Sequence, residues 1–312
     1  MLTLIARRLI QLPIILALVF SATFTLAWVL PGDPFRGADE RQVDPAIEAA
    51  MRAQYNLDSP WSFLRSYTKE LFTEADLGPS LKYRDRKVAD ILGEALPVSA
   101  TLGAAAIGVA LLIGTVAGVV GALKPGTALE AGSLGVALIG VSLPSFVTGT
   151  LLLAFAGVLA THAPAFALPI GGWTGPSAVL LPAIALGLTP AAYIARLLRL
   201  GLADLMHSDF VRTARAKGVS PNRALFGHAL KVAYLPVLSF LGPAAASAMT
   251  GSFVIEQVFN IPGLGEHFVN AVLNKDQTLL LGIVLTYSTI LVLFNLVVDV
   301  AYGWLDPRIE LG

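Results

Sequence analysis

DLMHSDFVRTARAKGVSPNRALFGHALKVAYLP, residues 204–236, is the stretch whose reading decides the fold. It carries Arg212, Arg215, Lys217, Arg223 and Lys231, yet it lies between apolar segments long enough to span a bilayer. Read locally, it is two helices meeting at a glycine. Ser208 stands at an N-cap position with Asp209 in the opening turn, where a negative charge suits the helix dipole. The helix runs through Phe210, Val211, Ala214 and Ala216, and Gly218 fits the left-handed position that ends it. Ser220 caps the next helix, with Pro221 in its first position. The first helix, about nine residues, is shorter than the roughly 12–15 at which isolated helices become marginal in water. It needs a partner surface.

The whole chain of 312 residues is 55% apolar and only 13% charged, with a mean hydropathy of +0.73. Soluble domains carry about 25% charged residues. The expectation is a polytopic, all-α membrane protein. The formal net charge of zero gives no reason to expect nucleic acid as a partner. The absence of cysteine excludes disulfides, zinc–thiolate sites and iron–sulfur clusters. His162, His207, His228 and His267 are scattered and form no ligand spacing, so no metal site is expected.

Six spans can be read along the chain. Arg7 and Arg8 precede the uncharged run Leu9–Leu30. At 1.5 Å per residue that run reaches about 33 Å, enough for a hydrocarbon core of roughly 30 Å. A signal peptide has an apolar core of only about 7–15 residues, so residues 1–31 are read as an uncleaved first span with the N-terminus inside. Residues 32–97 form an external insertion, with helical patterns at Asp44–Gln54 and Trp61–Phe72. The basic residues of this insertion do not violate the positive-inside rule, since long segments cross largely regardless of charge.

Residues 98–308 hold the other five spans: Val98–Leu123, Ala131–Ala160, Ser177–Ala195, Val232–Ile255 and Leu279–Val298. Gly114 and Gly118 make a small-xxx-small face on which another helix can approach closely. Pro144, in Ser142-Leu-Pro-Ser-Phe146, bends the third span. Ser142, Pro144 and Ser145 are therefore candidates to line a passage, with an ordinary packing kink as the alternative. The inner loop 196–231 is rich in Lys and Arg, whereas the outer loops 161–176 and 256–278 hold only Lys275. Both termini are expected inside.

A family resemblance becomes specific at this point. The string Asp209–Gly218, with His228 and the pair Leu235–Pro236, resembles the cytoplasmic EAA loop of ABC importer permeases of the dipeptide/oligopeptide/nickel family. Glu256-Gln-Val-Phe-Asn-Ile-Pro-Gly-Leu-Gly265 resembles that family's signature in the outer loop before the last span. Leu30-Pro-Gly-Asp-Pro34, the order of short motifs between Tyr55 and Pro97, and Asp306-Pro-Arg308 are also similar to the family's pattern, in the form of its first permease subunit. Gln257 stands where the family often has Thr, and Phe259-Asn-Ile stands where it often has Phe-Ser-Trp.

The resemblance implies an ABC importer type I permease fold in the inner membrane and a heteromeric assembly. The expected partners are a second related permease, two ATPase subunits or a fused pair, and an extracytoplasmic substrate-binding protein. It implies that Asp209, Phe210, Arg212, Ala214, Arg215, Ala216, Lys217 and Gly218 form a coupling helix for the ATPase, within a cytoplasmic loop 204–231. It implies that Glu256, Phe259, Pro262, Gly263 and Gly265 belong to a loop facing the binding protein. The cargo it implies is a peptide, with nickel chelates or another small solute left open.

No Gly-x-x-x-x-Gly-Lys-Ser/Thr string occurs, so the phosphate cradle of a P-loop NTPase is absent. ATP and magnesium are expected on the partner ATPase, with no cofactor and no catalysis in this chain. A charge at a helix centre costs roughly 2.5–3.5 kcal/mol on insertion scales, and the spans are nearly free of them. Asp299 is the one candidate, read as a near-interface partner of Tyr302 or of a neighbouring helix. That argues against a proton-coupled pump. Gly140-Val-Ser142 resembles the nucleophile of an intramembrane serine protease, but no histidine lies in a later span to serve as base. Thr213–Leu230 could pass for a DNA-binding helix-turn-helix but lacks an independent core.

Overall fold

The structure, a computed structural model, describes residues 2–29, 32, 35, 45–83 and 85–305. Most of Leu30–Pro34, and all of Asp306-Pro-Arg308, lie outside these residues, as does the side chain of Tyr302. The helices in chain order are α1 (Leu2–Val29), α2 (Pro45–Gln54), α3 (Pro60–Glu74), α4 (Val88–Leu123), α5 (Ala128–Ser142), α6 (Ser145–His162) and α7 (Leu180–Leu205). They continue as α8 (Asp209–Ala216), α9 (Pro221–Ala224), α10 (Leu230–Ala233), α11 (Leu235–Phe259), α12 (Leu264–Leu273) and α13 (Gln277–Leu305).

Among the described residues, Ile5–Val29, Val88–Leu123, Ser145–His162, Pro176–Leu205 and Gln277–Val300 are each long and apolar enough to cross a membrane. A sixth span results when Pro221–Ala233 and Leu235–Ala246, bent by 51° at their junction, are taken as one. The expectation of a single bent third span over Ala131–Ala160 is corrected. The chain breaks at Leu143 and Pro144 into α5 and α6. Pro144 takes an extended ψ of 143° at the N-cap of α6, and its carbonyl accepts from Val147 and Thr148 at 3.0 and 3.2 Å. It therefore starts a helix, where it loses no intrahelical bond, and does not kink one.

Two further boundaries move outward. α4 begins ten residues before the expected Val98 and runs 36 residues, so the division drawn at residue 97 falls inside a helix. α7 continues past the expected Ala195 through Arg196 and Arg199 to Leu205. In both cases the helix outlasts the uncharged run, because charged side chains end an apolar stretch without ending backbone hydrogen bonding.

The chain divides into two compact units. One comprises Arg7–Val98 and Pro262–Val292. Its α3 is set by a capping box: Ser62 N–H donates to Ser59 Oγ at 3.1 Å and Ser59 N–H to Ser62 Oγ at 3.2 Å, with Pro60 in the first position. α3 lays Phe63 and Tyr67 against Phe20, Phe24 and Trp28 of α1, with ring centroids 5.8–6.2 Å apart. The segments 79–83 and 85–87 fold back on each other, with Ser80 N–H donating to Arg86 O and Val88 N–H to Gly78 O, both at 3.0 Å.

The other unit comprises Met1–Ala6, Ser99–Ile261 and Leu293–Gly312. α7 is its centre and packs against α5, α6 and α11. The glycine face expected at Gly114 and Gly118 meets this helix. A Cβ at Gly114 would stand 2.8 Å from the Ala191 carbonyl oxygen, and one at Gly118 2.8 Å from that of Ala195. α4 and α7 therefore touch backbone to backbone. Arg199 of α7 donates from Nε to Glu130 Oε1 at 2.9 Å, tying the start of α5 to the charged end of α7.

Candidate functional site

The site is built from the end of α7 to the start of α11. α8 carries Val211 at full burial, in a cluster with Leu198 and Leu202 of α7, Leu225, Ala233 and Val237. Burying one valine contributes about 1.5–3 kcal/mol. That anchor supplies the partner surface that so short a helix lacks in isolation. Phe210, next in sequence, points the other way and is 45% exposed. Asp209, Arg212, Arg215, Ala216 and Lys217 are exposed and Ala214 is half-buried. One face of α8 is thus held by the fold, and the remainder presents an aromatic ring among cationic side chains.

Gly218 ends α8 as expected. Its φ is +86°, Gly218 N–H donates to Arg215 O at 3.0 Å, and Val219 N–H donates to Ala214 O at 3.2 Å. This is the Schellman pair of bonds. The expected serine caps are corrected. Ser208 and Ser220 stand at the N-cap positions of α8 and α9, but neither side chain accepts a capping hydrogen bond. Ser208 Oγ instead donates to Leu205 O at 2.5 Å, serving a carbonyl of the preceding helix.

Beyond α9 the backbone passes through a π-helical turn, Leu225–Ala229, which includes the exposed His228, into α10. Tyr234 interrupts the helix before the 51° bend, and its hydroxyl hydrogen-bonds Thr115 on α4. Pro236 lies in the first turn of α11, where a missing N–H costs nothing. The span expected to run unbroken from Val232 is therefore interrupted, with α11 starting at Leu235 beyond the break.

The second signature requires a larger correction. Glu256 and Phe259 are not in a loop: they occupy the last turn of α11 and are 0% and 1% exposed. Gly263 and Gly265 are buried as well, and of the five residues expected to face a binding protein only Pro262 is exposed. Ser99 Oγ of α4 donates to Glu256 Oε1 at 2.7 Å. The Phe259 carbonyl accepts from Gly172 N–H at 2.8 Å. The signature is a packing device at the close of α11. It also supplies a fully buried helical carboxylate, where the sequence offered only Asp299, which is half-buried.

Ser142 and Pro144 are exposed and Ser145 is half-buried, around the break between α5 and α6. Among the described residues Ser142 has no hydrogen bond to a histidine, and no group of His, Cys, Asp or Glu could hold a metal ion.

Sequence reasoning missed Asp276, which is fully buried before α13. Its carboxylate accepts from Ser80 Oγ, from Lys82 N–H at 3.1 Å, from Thr278 Oγ1 at 3.0 Å and from Leu279 N–H at 3.1 Å. It caps α13 and fastens Ser80 and Lys82 of the folded-back segment. The available signal was an aspartate three residues before an apolar run.

The chain matches the family model described as "Binding-protein-dependent transport system inner membrane component" over residues 110–311. It is 41% identical to the oligopeptide transport system permease protein OppB of Escherichia coli (strain K12), over 99% of this chain and 100% of that protein. It is 39% identical to the dipeptide transport system permease protein DppB of Bacillus subtilis (strain 168), over 94% of this chain and 93% of that protein. A chain of the MetNI methionine ABC transporter, solved in an inward-facing conformation, superposes with a TM-score of 0.57 at 15% identity. The match covers 69% of this chain and 96% of that one, and shows a shared fold.

Proposed function

The chain belongs to the family of binding-protein-dependent transport system inner membrane components, and on that premise we propose how it works. It is a multi-pass permease of an ABC importer, a class that operates with ATPase and substrate-binding components. We assign it peptides as cargo, a reading supported by relatives named for oligopeptide and dipeptide transport that align over nearly their whole lengths. In this reading it pairs with a second, related permease and receives cargo from an extracytoplasmic binding protein. Both termini and the 204–231 segment face the cytoplasm, where ATP and magnesium are held by two ATPase subunits or a fused pair.

α8 is the coupling helix. The observation that carries this is the opposition of Val211 and Phe210: one anchors the helix in the α7–α11 core, the other stands exposed. An apolar ring flanked by Arg212 and Arg215 fits a hydrophobic cleft with carboxylates at its rim. A push on α8 reaches α11 through the shared core and the hinge at Tyr234. Purified alone, the chain is expected to hydrolyse no ATP. Purified with its neighbours, it is expected to bring down a second permease and an ATPase. ATP hydrolysis by the pure chain would overturn the assignment.

A further inference from the structure

We propose that the ion pair between Arg199 and Glu130 is the joint through which movement of α8 reaches α5 and the break at Leu143 and Pro144. Arg199 is then a positioning residue for transport, acting through helices and not on cargo. The proposal rests on α8 being the coupling helix.

Three helices meet at this pair. Arg199 lies in the closing turns of α7, which ends at Leu205 shortly before α8 begins at Asp209. Its Nε donates to Glu130 Oε1 at 2.9 Å, and its Nη2 donates to the same oxygen. The other carboxylate oxygen accepts from Gly126 N–H at 2.6 Å, in the turn that precedes α5. The Arg199 stem crosses α4 at Gly121, where a Cβ would stand 3.3 Å from Arg199 Cδ and 2.9 Å from Ser133 Oγ of α5. α4 thus makes room for the pair by carrying no side chain there. The side chains of Arg199 and Glu130 are only 30% and 14% exposed, so solvent screens their attraction less than that of a surface pair.

α5 is tied to α7 near its other end as well. Thr189 Oγ1 donates to Gly140 O at 2.8 Å, and a Cβ at Gly140 would stand 2.6 Å from the Leu188 carbonyl oxygen. Both ends of α5 therefore follow α7, up to the break. α6, beyond it, also leans on α11, where a Cβ at Gly149 would stand 3.0 Å from Ile255 Cδ1 and 3.2 Å from Phe259 Cε2. The break thus separates a helix bound to α7 by polar contacts at both ends from one seated in part on α11. A shift of α7 driven through α8 is taken up at Leu143 and Pro144, where Ser142 stands exposed.

The test uses the assembled importer in proteoliposomes with its binding protein and a peptide. Arg199→Met removes the charge, keeps an unbranched stem over Gly121 and leaves the bond from Gly126 to Glu130 in place. It is expected to lower peptide uptake per ATP hydrolysed about fivefold or more, from the low end of couplings between sites upward. Arg199→Lys, which keeps the charge, is expected to recover most of that loss. The chain has no cysteine, so Ser142→Cys supplies its single thiol. Labelling of that thiol by a maleimide is expected to change when the ATPase is trapped with ATP and vanadate. Arg199→Met is expected to suppress the change. Full uptake by Arg199→Met, an Arg199→Lys variant equally impaired, or uptake and hydrolysis lost in proportion would overturn the proposal. So would a thiol that labels alike in both states, or one that responds as strongly in Arg199→Met. Full uptake by Arg199→Met while Phe210→Asp fails to transport would reject the joint alone. Full uptake by both would reject α8 as the coupling helix.

Discussion

Ser99 of α4 donates a 2.7 Å hydrogen bond to Glu256 of α11, and neither side chain is open to solvent. This contact turns a stretch that reads as an outward-facing loop into an internal tie between two helices. Truncating one partner of a buried polar pair costs about 1–3 kcal/mol, whereas removing both can be nearly neutral. Ser99→Ala and Glu256→Ala are therefore expected to lower the melting temperature of the purified chain, with a double mutant less impaired than the sum of the two. Affinity for a binding protein is not expected to change through direct contact. Unchanged melting in both single variants would show that the bond carries no weight.

Asp276 carries more. Replacing it with Ala strands the N–H groups of Lys82 and Leu279 and removes the cap of α13, a loss of at least about 2 kcal/mol. Hydrogen exchange is expected to rise across residues 79–88 well before the spans open. Uniform exchange in the variant and the wild type would contradict the fastening role.

His267 on α12 sets a pH dependence. Burial lowers its pKa, with Arg86 acting in the same direction against the opposing pull of Glu266 and Glu94. Tyr83 packs edge-on against the ring at 5.7 Å. A histidine whose folded pKa is depressed contributes stability above its unfolded pKa of about 6.5 and loses it as pH falls. Melting temperature is expected to decline between pH 7 and pH 5, and His267→Phe is expected to flatten that decline. A variant that declines as steeply as the wild type would rule the residue out.

Much of the fold was legible in the sequence, for physical reasons that also mark where legibility stopped. Apolar runs located the spans because hydrocarbon excludes charge. Gly218 and the Gly114–Gly118 pair were readable because only glycine meets their backbone demands. The limits of α4 and α7 were hidden because a helix continues in water past its last apolar residue. The break at Pro144 was hidden because a proline within an apolar run reads alike as a kink or as a helix start. Glu256 was misplaced because Pro262-Gly-Leu-Gly265 is turn chemistry, and the turn obscured the helix end just before it. Asp276 needs the distant Ser80 and Lys82 to show its role, and that pairing has no local signal.

Gly218 offers a test of α8 independent of packing. Nothing lies within 4 Å of where its Cβ would be, so a substitution there meets only the backbone cost of a left-handed φ, roughly 1–2 kcal/mol. Gly218→Val is expected to insert normally and to leave ATP hydrolysis by the assembled importer while reducing uptake. Gly218→Asn is expected to be milder, because asparagine tolerates that conformation. Equal uptake by both variants and the wild type would separate the turn from coupling.

The most direct measurement compares two adjacent residues in the assembled importer, reconstituted in proteoliposomes with its binding protein and a peptide. Val211→Ala removes an anchor and is expected to destabilise the permease by roughly 1–3 kcal/mol. Phe210→Asp alters only an exposed side chain, so the permease alone is expected to melt within about 0.5 kcal/mol of wild type. The account predicts that Phe210→Asp nonetheless abolishes peptide uptake while the ATPase subunits continue to hydrolyse ATP. Full peptide uptake by Phe210→Asp would show that α8 is not the coupling element.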